Sequence, residues 1–201
     1  MKTLLIALVV LTSSLAVAAP PLRDCSRGAM QLENVALAWT PTDSIDLPPV
    51  VTIPPGATVA VGSVMSRTVR IEVKPLIDTR QNPKRIGENR ENVSNGCVFP
   101  VTTKDDAAAW TTEQVRIVLS KLGFEIVESG GDVVLSGELR KFFVTEENTY
   151  HGEIGLRLDL TKSGTVAWSG LVKGSNTRFG RSYKLANYQE TLSDSVIDAV
   201  G

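Results

Sequence analysis

The sequence predicts an α+β fold: a two-layer sandwich with two helices packed on one face of a mixed or mostly antiparallel sheet. Three observations predict it. Ile154, Leu156, Leu158 and Leu160 alternate with Gly155, Arg157, Asp159 and Thr161, the two-residue period of a strand with one apolar and one wet face. Lys162-Ser163-Gly164 then reads as a short turn, and Val166, Trp168 and Val172 share one face of the strand after it, so the two strands form a hairpin. Segments near Asp105–Leu122 and Tyr188–Val200 carry apolar residues at three- and four-residue spacing, the stripe of an amphipathic helix.

The chain of 201 residues opens with a leader. Lys2 supplies the positive end, Leu4 to Leu11 the apolar core, and Ala16-Val17-Ala18 the small-x-small cleavage pattern. Residues 1–18 are therefore expected to be a signal peptide. The apolar run is shorter than the roughly 20 residues of a bilayer span. Residues 19–56 are expected to form a proline-rich extended arm, in which Pro41, Pro48, Pro49, Pro54 and Pro55 break regular elements. Gln31 to Trp39 reads as a short helix or strand. Residues 57–201 are expected to form one domain.

Within that domain, Thr58 to Val64 alternates as a strand. Val69, Ile71 and Val73 alternate against Arg70, Glu72 and Lys74 as the next, with Pro75 at its end. Gln81 to Asn95 is polar and charged and reads as a long loop. A helix follows, capped by Thr103 or Asp105 and bearing Ala108, Val115, Val118, Leu119 and Leu122 on its stripe, with Trp110 beside it. Gly123 ends it, and Phe124 to Val127 is a short strand before Gly130-Gly131. Val133, Leu135 and Leu139 open another strand, and Glu146 to Gly152 reads as a polar connection to the alternating strand. Trp168 reads as core. Gly174 to Lys184 precedes the last helix, which Asn187 caps with Glu190 three residues on.

Composition excludes more than it selects. The formal net charge is -1, without the basic excess of proteins that bind nucleic acid or membrane surfaces. The segment from Gly174 to Lys184 lacks the order of a phosphate loop. His151 is the only histidine and falls in a polar stretch. No Gly-x-Ser-x-Gly or His-Glu-x-x-His pattern occurs, and Glu138 and Glu153, a carboxylate pair if they face each other across strands, read as surface charges beside Arg140 and Arg157. No cofactor, metal site or catalytic residue is expected, and the chain reads as a non-enzyme. Cys25 and Cys97 are the two cysteines. In an exported chain an even count points to one Cys25–Cys97 disulfide. The candidate partner-binding residues are Asp78, Arg80, Lys84, Arg85 and Arg90, in the long charged loop.

The motifs VRIEVKPLIDTRQNPKRIG, LSKLGFEIVE, DVVLSGELRKFFV, GTVAWSGLVKG and NYQETLSDSVIDAV, spread from Arg67 to Val200, resemble the YajG family of uncharacterised bacterial lipoproteins. There is a weaker similarity to auxiliary lipoproteins of envelope ABC and lipid-transport systems. The resemblance implies a non-catalytic protein of the cell envelope and carries no catalytic residues over. This chain departs from the family at the anchor: Leu22-Arg23-Asp24 before Cys25 is no lipobox. The expected form is therefore periplasmic or secreted, soluble and without a lipid anchor. The expected role is binding a cell-envelope protein or a second subunit through a sheet edge or the Arg80–Arg90 loop. The alternative is a small-ligand or lipid-binding accessory module of an envelope transporter.

Overall fold

A computed structural model describes residues 23–25, 32–45, 68–90, 97–180 and 184–201. The leader and the Thr58–Val64 strand lie outside the described residues. The protein is α+β, with nine strands and two helices among the described residues. In order these are β1 (Arg23–Asp24), β2 (Arg70–Val73), β3 (Ile77–Asp78), β4 (Arg85–Asn89), β5 (Cys97–Thr102), α1 (Ala107–Lys121), β6 (Glu125–Val127), β7 (Val133–Glu146), β8 (Thr149–Lys162), β9 (Thr165–Phe179) and α2 (Leu185–Val200).

The 14-residue β7 is the spine of the sheet. On one side β8 pairs with it antiparallel from Val134–Thr161 to Glu146–Tyr150. On the other side β2, β3 and β4 pair with it in succession, all parallel. The sheet is therefore mixed, and β9, antiparallel to β8, lies at its edge. The alternation in β8 holds: Ile154, Leu156 and Leu158 are buried, while Arg157 is exposed. A bulge at Arg140 shifts β7 by one residue. It turns Leu135 and Leu139 before it, and Phe142 and Val144 after it, to the same core. Ser163 and Gly164, both at positive φ, are the two-residue turn of the β8–β9 hairpin.

Several sequence expectations are corrected. Gln81–Asn95 is not a loop throughout, because it contains β4, whose Ile86 is fully buried. One apolar residue among charges hid a strand whose Glu88 and Asn89 are also buried. The connection expected at Glu146–Gly152 is only Glu147-Asn148. Its polar ends belong to the strands, because Glu146 and Tyr150 satisfy each other inside. Glu72, expected on a wet face, is buried, ion-paired to Lys74 and accepting from Gly130 N at 2.9 Å. The residues from Leu32 to Trp39 form neither helix nor strand.

Both caps move. Asp106 caps α1, accepting from Ala108 and Ala109 N, because Thr103 and Asp105 serve the arm instead: Thr103 donates to Val35 O and Asp105 accepts from Leu37 N. The cap position of α2 is Lys184, and Asn187 sits inside the helix, where its carbonyl accepts from Thr191 Oγ1. Gly174 to Phe179 belongs to β9.

Trp168 and Val166 are not core: they are 43% and 58% exposed. A second bulge, where Leu160 faces Trp168 but Thr161 faces Val166, turns Val166 to the opposite face. Trp168 keeps the core face but lies over Gly170.

α2 is wrapped. Gly152 and Gly174 let it rest directly on β8 and β9, where an added Cβ would meet Ser195 and Thr191 atoms. The arm lies along its other side: Thr40 N donates to Ser193 Oγ, and Thr42 N and Asp43 N donate to Asp194 Oδ1. Every residue from Thr191 to Ile197 is therefore buried.

Candidate interaction surface

The charged residues singled out in the sequence serve the sheet's own architecture. Arg80 donates from Nε and Nη2 to Asp78 at 2.9 and 2.7 Å, and from Nη1 to the carbonyls of Arg85 and Phe142. Its guanidinium also lies 5.4 Å from the Phe142 ring centroid, so one side chain staples β3, β4 and β7 together. Burial pushes the Asp78 carboxyl up, but the hydrogen bonds from Arg80 outweigh this and hold it below the usual carboxylate range. Arg85 bridges Asp24 and Glu88, Arg90 bridges Glu88 and Glu147, and Lys84 Nζ donates to Lys104 O. Glu138 and Glu153, weighed as a carboxylate pair, bind Arg140 and Lys141 respectively.

Inside, Glu146 is fully buried and accepts from the hydroxyls of Tyr150 at 2.8 Å and Tyr188 at 2.7 Å. The two rings meet edge to face at 5.1 Å. Burial, reinforced by the Glu146 carboxylate, pushes the Tyr150 hydroxyl up to about 12. A phenol raised from its ordinary value near 10 contributes stability that is complete below about pH 10 and is lost as pH climbs toward 12. The stability gap between the wild type and Tyr150→Phe should therefore narrow between about pH 10 and about pH 12. Urea titrations of both proteins across that range check this, and a constant gap is the contrary result.

The open face of β7–β9 carries a hollow of about 380 Å³ lined by Arg140, Lys141, His151, Glu153, Leu171 and Lys173. Gly155, without a side chain, forms its floor opposite Lys141 and Lys173. His151, placed by its polar neighbours in a connection, lies in β8 with Nδ1 2.9 Å from Thr177 Oγ1. Another hollow, of about 450 Å³, lies between α1 and β6 and is lined by Glu113, Arg116, Lys121 and Glu128 among others. Among the described residues no cluster of His, Cys, Asp or Glu has metal-site spacing, and no helix is long and apolar enough to cross a membrane.

The outstanding surface is β9. It runs 15 residues and pairs only with β8 among the described strands. In an antiparallel ladder each residue's N–H and C=O point together to one side, alternating along the strand. Ser175 N donates to Asp198 Oδ2 of α2, so Ser175 points away from β8. The outward groups are therefore those of Ser169, Leu171, Lys173, Ser175 and Thr177. Asp198 covers Ser175, and the arm reaches the adjoining Asn176 through Asp43. Nothing among the described residues bonds the outward groups of Ser169, Leu171 and Lys173. Around them stand Val166, Trp168 and Leu171, between 43% and 59% exposed. Sequence reasoning placed Val166 and Trp168 on one strand face and Trp168 in the core; their apolar character was legible, but not what covers them.

The sequence matches no protein-family model and no curated protein. Among solved structures, a protein from Xanthomonas campestris of family DUF330 shares 16% identity over 67% of this chain and 83% of its own, with a TM-score of 0.47. The PelC dodecamer from Paraburkholderia phytofirmans shares 16% identity over 65% of this chain and 87% of its own, with a TM-score of 0.39. Lipoprotein GNA1162 from Neisseria meningitidis shares 13% over 59% and 90%, with a TM-score of 0.35. At these TM-scores the likenesses carry no functional argument.

Proposed function

We propose that this chain is a non-catalytic protein of the bacterial cell envelope, periplasmic or secreted, that works by binding another protein chain along the outer edge of β9. The observation that carries this reading is the run from Val166 to Lys173, where the outward backbone groups of Ser169, Leu171 and Lys173 have no partner among the described residues and Val166, Trp168 and Leu171 are exposed. Edge strands of this kind are templates for strand addition unless a protein blunts them. Export is supported by the leader pattern from Lys2 to Ala18. In the same reading α1 and α2, which touch each other and the sheet, form the second layer on one face of it. The Asp78–Arg90 region remains a second docking candidate, although its cations are already engaged with the chain's own carboxylates and carbonyls. The ligand-binding alternative is less favoured, because the hollows on either side are lined by charged side chains.

A photo-crosslinking residue in place of Leu171, in the host cell, should give a discrete protein adduct. The same residue in place of the exposed Glu125 should not. Equal labelling at both positions, or none at Leu171, overturns the reading.

The Cys25–Cys97 disulfide belongs to the same proposal. Arg23 faces Cys97 in the β1–β5 ladder, and Cys25 N donates to Val98 O at 2.8 Å. Closing a loop of this length is worth about 4 kcal/mol in the chain-entropy limit. Thiol counting on denatured, unreduced protein should find none free; two free thiols are the contrary result.

A further inference from the structure

We propose that the partner on β9 is a second copy of this chain, joined to the first as an antiparallel β9–β9 pair about a two-fold axis at Leu171. The proposal rests on the edge-binding reading above and names its partner.

The open window sets the register. Asp198 occupies the outward N–H of Ser175, so pairing must end before that residue. The bulge at Ala167 breaks the strand at the other end. The middle of the remaining run, 168–174, is Leu171. A two-fold axis there makes the window self-complementary, as an isologous contact requires. Leu171 then faces Leu171 of the second copy, as a pair that exchanges both backbone hydrogen bonds. On the open face, Ser169 faces Lys173 of the copy. On the core face, Gly170 faces Val172, and Trp168 faces Gly174.

Each pairing suits the side chains. Leu171, 59% exposed, covers its own equivalent. The core face over Gly174 is already filled by the α2 backbone at Ser195 and Ala199, so the Trp168 ring stays over its own Gly170 and does not cross to the second copy. Lys173 is the only charged residue from Trp168 to Gly174, and this register sets it opposite a serine. Moving the axis to Lys173 would place two ammonium groups directly opposite, which is unfavourable. It would also draw the blocked Ser175 into the ladder.

The test is a charge swap read by sedimentation equilibrium on the chain as its host processes it. Wild type should dimerise reversibly with concentration. Ser169→Lys puts a lysine opposite Lys173 twice per dimer and should weaken association by about tenfold. Adding Lys173→Asp to Ser169→Lys makes both pairs attractive and should restore it. Both side chains are exposed, and matching thermal melts confirm that the fold is retained. A wild type that stays monomeric, or a dimer indifferent to Ser169→Lys, overturns the inference. If a monomeric chain still gives the Leu171 adduct to another protein in the cell, only the self-partner is lost and the edge-binding reading stands.

Discussion

Gly174→Val is expected to lower stability by about 3 kcal/mol or more, while Gly170→Ala, four residues away on the same strand and face, costs about 1 kcal/mol or less. The two glycines look alike in sequence and differ in what lies above them. A Cβ on Gly174 would stand 2.1 Å from Ser195 O and 2.4 Å from Ala199 N, both in the backbone of α2. A helix backbone cannot yield locally, so α2 must lift from β9 along its length. That loosens Val196, which is fully buried, and strains the contacts of Ser193 and Asp194 with the arm. The atoms nearest a Cβ on Gly170 all belong to the Trp168 ring, a partly exposed side chain that can rotate away. Urea unfolding of the two variants separates the cases. If Gly170→Ala were the more damaging, Trp168 would be a fixed part of the fold rather than a surface residue.

What was legible follows from where one physical signal acts alone. The β8 alternation, the Ser163-Gly164 turn, the stripe of α1 and its stop at Gly123 each rest on local pattern. Gly123 sits at φ +90, as a helix-ending glycine should. β4 was illegible because its burial is achieved with Glu88 and Asn89 rather than with apolar side chains. Their partners, Arg85 and Arg90 for Glu88, lie close in sequence, so the strand reads as a charged loop. The Glu146–Tyr150 stretch failed because it too is buried with a charged residue, and here one partner, Tyr188, is 42 residues from Glu146. The α1 cap moved because the arm, far off in sequence, claims Thr103 and Asp105. For the candidate surface, periodicity sorts β9 into two faces but is silent on how far α2 extends over either. Trp168 has the pattern of a core residue and lies past the helix that would have covered it. Ser175 was an ordinary serine until Asp198 fixed which backbone groups of β9 point outward.

Leu156→Asp should be among the most damaging single changes in the chain, on the order of 4 kcal/mol. Leu156 is 0% exposed and lies opposite Leu139 of β7 and Val172 of β9. It therefore sits at the centre of the core face, on the middle strand of the three long ones. A carboxylate there has no cation or donor within the apolar cluster formed by Leu139, Ile154, Leu158 and Val196. It must be taken up protonated or drag solvent into the sheet. Arg157→Ala, the neighbouring residue on the open face, should change stability by no more than about 0.5 kcal/mol. Because the side-chain period is two, a one-residue error in strand register would exchange these outcomes. Chemical denaturation of both variants is thus a test of which face of β8 is covered. The register of β9 follows from that of β8 through fourteen paired positions, from Thr149–Phe179 to Lys162–Thr165. If Arg157→Ala proved the more damaging, Leu171, which pairs with Arg157, would turn inward, and the exposed edge on which partner binding rests would be lost with it.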